Sequence, residues 1–122
     1  MLKMRLENPK KLVPILTLVA TIINRGWCSG SLAKNAGGEF VSYDAIQARR
    51  GCLHGAILRA QFELKVSSDD MLTVSKLLCA VGEIRTGRLS DFNDTSSKTE
   101  VLKLVQRART YCEGHREGAL LH

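Results

Sequence analysis

Residues 49–56 read RRGCLHGA, which sets Cys52 and His54 two apart, between glycines and behind two arginines. A thiolate and an imidazole are residue types that bind zinc or carry out nucleophilic chemistry. Their spacing argues against that use. On a helix, residues two apart do not share a face, and His54 would point roughly 160° away from Cys52. They could meet on one metal only if the helix broke there. The expectation is a packed Cys52 and an exposed His54.

The other residues with chemical potential are scattered. Asp91, Asn93 and Asp94 hint at a cation loop, but an EF-hand needs further oxygen ligands, a sixth-position glycine and a closing glutamate. Turn and helix-capping roles suit these residues better, and no metal site is expected. Ser29 and Ser31 could be nucleophiles beside His54, His115 or His122, yet two of those histidines fall in the tail. GxSxG, Walker A, GxGxxG and HExxH are all missing, so no familiar enzyme class and no cofactor are indicated. Arg49 would lie between two apolar stripes of its helix, where an unpaired guanidinium is costly. Three readings stand for it: an ion pair with Asp44, Asp91 or Asp94, snorkelling to solvent, or ligand binding. A site for a small ligand or reaction, if there is one, would be lined by Trp27, Arg49, Asn93 and Asp94.

Charge points to a partner more than to a reaction. The 18 Lys+Arg against 12 Asp+Glu give +6, which favours an acidic protein face, nucleic acid or an anionic membrane surface. Arg50 on the second helix and Lys98, Lys103, Arg107 and Arg109 on the last are the candidates for an acidic partner or nucleic acid. Glu100 and Glu113 share that last helix, and aromatics make up only 5%, which leaves little for bases to stack on. A solvated helix face is the simpler reading.

These residues need elements to position them. Leu12, Ile15, Leu16, Val19, Ile22 and Ile23 recur at i, i+3 and i+4, which predicts a first helix. Leu18 and Val13 widen its stripe, so it should be covered on several sides. Asn8-Pro9 supplies a start, Gly26 a stop, and Pro14 a late start or a bend. The positively charged beginning ahead of the apolar run 12–23 has some signal-peptide character. Against it stand Glu7, the Asn24-Arg25-Gly26 that follows instead of small residues, and a run too short to span a bilayer. Asn35-Ala-Gly-Gly38 predicts the turn of a small hairpin packed by Trp27 and Phe40. A second helix is read from Tyr43 or Asp44 to Leu64. Its small residues Ala45, Ala48, Cys52, Gly55 and Ala56 would let another helix backbone approach.

Ser67 and Asp70 have capping-box spacing before a third helix with Met71, Val74, Leu77, Leu78, Val81 and Ile84 inward. Residues 86–97 read as a polar loop around Phe92. Ser97-Lys98-Thr99-Glu100 caps a fourth helix with Val101, Leu104, Val105, Ala108 and Cys112 inward. The expected fold is mainly α: a compact four-helix domain over 1–122, with a small β-hairpin or extended excursion between helices 1 and 2, and flexible ends at 1–8 and 114–122. Four cysteines without a CxxC, two of them on apolar faces, suggest a reducing, cytoplasmic setting.

INRGWCSGSLAKNAGG (23–38), GCLHGAILRA (51–60) and DFNDTSSKTEVLKLVQRA (91–108) together resemble a family of small bacterial and phage domains of unknown function. The resemblance covers about residues 16–112 and rests on Gly26-Trp27, Cys52 with Gly55-Ala56, Asn93-Asp94 and Thr99 through Val101. Phe92 stands where that family usually has tryptophan, which keeps an aromatic plug but removes an indole donor. The resemblance implies one cytoplasmic domain in which Trp27, Cys52, Gly55, Asn93 and Asp94 form a framework. The leading expectation is a non-enzymatic interaction or regulatory domain whose basic helical surface meets an acidic protein. A nucleic-acid-binding module and a small enzyme of unknown class are the alternatives, and no membrane role is expected.

Overall fold

The computed structural model describes residues 4–30, 33–42, 50–114 and 120–121. The apolar run becomes α1 (Val13–Arg25), preceded by a 3-10 turn over Pro9–Leu12. This answers the awkward proline. Pro14 falls in the first turn of α1, where its missing N–H has no helical partner to lose. The helix ends at Gly26, whose N–H donates to Ile22 O at 3.2 Å. Leu16, Val19 and Ile23 are fully buried, because α1 packs against both α5 and α2. Among the described residues no helix is long and apolar enough to cross a membrane.

A small sheet follows. β2 (Ala33–Lys34) runs antiparallel to β3 (Arg50–Gly51), pairing Ala33 with Gly51 and Lys34 with Arg50. Trp27 bridges the far side of Gly51 in parallel, and Phe40 bridges the far side of Lys34 antiparallel. Across the sheet the order is therefore Phe40, β2, β3, Trp27. The hairpin turn is where the sequence placed it: Gly38 N–H donates to Asn35 O at 3.1 Å, and Glu39 N–H to Asn35 Oδ1 at 2.9 Å. Gly38 has φ +86°, a conformation that side-chain-bearing residues rarely adopt. One expectation fails here. Phe40 was expected to pack the hairpin, yet it is 74% exposed. Strand alternation explains the failure, since Phe40, Lys34 and Arg50 share the outer face while Ala33 and Gly51 are buried on the inner one.

α2 spans Leu53–Leu64, about nine residues shorter at its start than the periodicity suggested. Residues 43–49, Arg49 among them, lie outside the described residues, but Arg50 and Gly51 are plainly extended. Gly51 is held on the Trp27 side by two backbone bonds, its N–H to Gly26 O at 2.9 Å and Cys28 N–H to its own O at 3.2 Å. A helix cannot pass through a residue so engaged, and it begins after Cys52. The small-residue stripe thus keeps only its later members on α2.

α3 (Ser68–Gly82) and α5 (Lys98–Gly114) match their patterns, with Met71, Val74, Leu77 and Leu78 buried on one and Val101, Leu104, Val105, Ala108 and Cys112 on the other. Between them the polar segment forms a further helix, α4 (Leu89–Asp94), that was not expected. Leu89 and Asn93, one helical turn apart, are its buried anchors. β1 (Met4–Arg5) pairs antiparallel with β4 (Leu120–Leu121), and both lie in the segments expected to be flexible.

The caps are in place. Ser67 Oγ accepts from Asp70 N–H at 3.1 Å, while the Asp70 carboxylate meets Lys11 Nζ at 3.0 Å instead of closing a box. At α5 the box is reciprocal: Ser97 Oγ accepts from Glu100 N–H at 3.1 Å, and Glu100 Oε1 from Ser97 N–H at 2.9 Å. Hydrogen bonds from the Ser97 backbone and then its hydroxyl hold the Glu100 carboxyl below its ordinary range, so its stabilising effect is present above the unfolded carboxylate range and is lost as pH falls through the lowered value. Thermal melts from neutral pH down to about pH 3 should therefore show a shallower acid limb for Glu100→Gln than for the parent chain.

Candidate functional site

Asn93 is the one buried polar side chain among the described residues, with no exposed surface at all. Its carboxamide joins three parts of the fold. Oδ1 accepts from Trp27 Nε1 at 2.7 Å and from Leu53 N–H at 2.9 Å. Nδ2 donates to Cys28 O at 3.1 Å and to Asp94 Oδ1 at 3.3 Å. A carboxamide has two acceptor positions and two donor hydrogens, and all four are used. Asp94 Oδ1 in turn accepts from Gly30 N–H at 3.0 Å. The hub thus ties α4 to the segment Trp27–Cys28 and to the first turn of α2.

Each partner has a local reason to be there. Leu53 N–H belongs to the first turn of α2, where no carbonyl of the helix can accept it. Cys52 occupies the N-cap position just before, and its Sγ accepts from Gly55 N–H at 3.3 Å. The Trp27 indole lies partly buried against the core, so its N–H needs a partner. Of the four residues expected to line a site, Trp27, Asn93 and Asp94 come together, and Arg49 falls outside the described residues. What they build is a closed set of hydrogen bonds.

Cys52 is buried and capping a helix, while His54 is exposed. Among the described residues no three of His, Cys, Asp and Glu cluster to hold a metal ion. Cys28, Cys79 and Cys112 are buried as well. Burial pushes the Cys52 and Cys79 thiols up, and pushes Cys112 up to about 11. Nearby Cys28 and Asp94 add smaller upward effects at Cys52. A thiol held protonated is a poor nucleophile and a poor ligand.

The cationic candidates divide. Lys98 Nζ donates to Asn24 O and Arg107 Nη2 to Val81 O, both at 2.9 Å. These carbonyls belong to the last turns of α1 and α3, where helices leave acceptors unfilled and favour positive charge. Arg109 pairs with Glu113 at 2.9 Å. Lys103 is exposed and exerts a weak field on Glu100. Arg50 is exposed on the outer face of the sheet, beside Lys34 and Phe40. Sequence reasoning named Arg50 but not its two neighbours, because strands of two residues carry no alternation to read. The hydrogen bonds by which Asn93 joins Trp27, Cys28 and Leu53 were not legible either, since these partners lie 40 to 66 residues away.

A mainly helical chain with a small sheet pinned by a buried asparagine is the class of structure defined so far. The chain belongs to DUF6197, a family of unknown function, whose model matches residues 7–111. That span includes every partner of the Asn93 hub. No curated protein and no solved structure matches the chain.

Proposed function

We propose that this chain is a non-enzymatic protein-interaction or regulatory domain of bacterial or phage origin, which binds an acidic partner through a basic surface. One observation carries the reading. The polar groups best suited to chemistry are spent on each other in the Asn93 hub, so the accessible recognition groups are on the outside. There, Phe40, Phe62, Leu64 and Leu72 are exposed large apolar residues on a chain of net charge +6. Exposed aromatic side chains supply apolar contact, and an excess of positive charge favours a partner of opposite sign. The origin is supported by the resemblance to small bacterial and phage domains. A cytoplasmic setting is supported by buried cysteines kept as thiols.

The test is affinity capture of the tagged chain from bacterial lysate, with and without nuclease, read by mass spectrometry. A discrete protein partner that survives nuclease is the expected result. Capture that vanishes with nuclease would replace this reading with nucleic-acid binding, and an empty capture would remove it.

A further inference from the structure

We propose that the outer face of the small sheet, formed by Phe40, Lys34 and Arg50, is the docking site for an extended acidic peptide segment of the partner, laid alongside the Phe40 strand. The proposal rests on the interaction reading above. Its first support is the register. Lys34 pairs with Arg50 on one side and with Phe40 on the other, so the three side chains form a row on one face. With strands about 4.8 Å apart, that row spans roughly 10 Å. Lys34 Nζ sits 5.4 Å from the centre of the Phe40 ring, a cation–π distance.

The second support is charge. Two cations directly opposite each other on neighbouring strands repel and weaken the pairing. Among the described residues no carboxylate forms an ion pair with either of them. The adjacent acid, Glu39, alternates to the other face, where its Oε1 accepts from Asn35 Nδ2 at 3.2 Å. An arrangement that costs stability in the isolated chain is relieved by carboxylates brought from outside. Arg50 offers them a planar fork, and Lys34 a point charge.

The third support is the open edge. Towards β2 the strand bonds through Glu39 O, which accepts from Asn35 N–H at 2.9 Å, and through Val41 N–H, which donates to Ala33 O at 3.2 Å. The N–H and C=O of Phe40 itself therefore point the other way, and no described residue pairs with them. An added strand would take both, place alternate side chains over the outer face, and rest an apolar one on Phe40. A nucleic-acid strand fits less well. Bases stack on successive aromatic platforms, and this face has a single ring with a lysine beside it.

The probes are a random-dodecamer display library selected on the intact chain and a labelled oligothymidylate. The expected result is enrichment of peptides with acidic residues at alternate positions. Lys34→Glu combined with Arg50→Glu, and separately Phe40→Ala, should weaken those peptides by about tenfold or more. Circular-dichroism melts of these variants should stay close to the parent, because the three side chains are on the surface. Hydrogen exchange at the Phe40 amide should slow when peptide binds. Selected peptides indifferent to these substitutions would overturn the site. So would oligothymidylate binding that the substitutions abolish, or no binding of either probe. If the lysate partner is still captured by the K34E/R50E chain, this face is wrong and the interaction reading stands. If the parent chain captures nothing, the interaction reading itself falls.

Discussion

Asn93→Ala should lower the stability of the fold by about 3–5 kcal/mol, the largest single effect expected of any polar residue among the described ones. The truncation leaves Trp27 Nε1–H and Leu53 N–H without an acceptor and Cys28 O without a donor. Each buried group left unpaired costs about 1–3 kcal/mol, and partial relaxation keeps the total below the plain sum. Domains of this size have only about 5–15 kcal/mol in hand, so a fall in melting temperature of roughly 10–20 °C follows. Asn93→Asp separates lost bonds from lost volume. It keeps the two acceptor contacts but sets a carboxylate against Cys28 O and Asp94, which raises the new carboxyl's pKa in the folded state. The variant should be most stable below the ordinary carboxylate range and lose that stability as pH rises through the raised value. Denaturant titrations followed by Trp27 fluorescence read both changes. An Asn93→Ala chain within about 0.5 kcal/mol of the parent, as surface changes usually are, would mean the carboxamide holds nothing together and is available for another purpose.

The parts of the fold legible in the sequence are those made by local periodicity and local capping. The buried faces of α3 and α5 follow from i, i+3, i+4 spacing, and Ser67 and Ser97 announce their helices by residue type alone. The turn at Asn35–Gly38 is legible because a positive φ demands glycine. The parts that escaped are made by distant backbone. Residues before Cys52 carry helix-like periodicity, yet Gly51 is claimed by Gly26 and Cys28 across more than twenty residues, and that claim stops the helix. α4 escaped because its second anchor is an asparagine, polar in any sequence pattern and buried only because four partners meet it. Phe40 misled for the opposite reason: an aromatic residue is assigned to the core by composition, whereas strand parity put it outside. The candidate site fared likewise. Trp27, Asn93 and Asp94, three of the residues expected to line a site, do come together, but nothing local shows that Asn93 spends all its bonds in the meeting.

Gly55→Leu should be far more damaging than His54→Ala, and the pair tests the placement of these two residues on α2. Gly55 is buried in the first turn of α2, and its N–H donates to the sulfur of the capping Cys52. Four added carbons there must displace packed neighbours, at a cost of about 1–3 kcal/mol and sometimes more. The intrinsic gain from replacing a helical glycine, about 0.5–1 kcal/mol, offsets only part of this. Gly55→Ala divides the two terms, since it gains most of the propensity and adds one carbon. It should melt closer to the parent than to Gly55→Leu. His54, exposed next door, should be replaceable by alanine within about 0.5 kcal/mol. Thermal melts give the ranking, and labelling of Cys52 by a thiol reagent gives its cause, because a first turn pushed outward by leucine unseats the cap and admits the reagent sooner. If His54→Ala proved the worse of the two, the imidazole would have a structural partner, and α2 would have to be rotated from the orientation that buries Gly55.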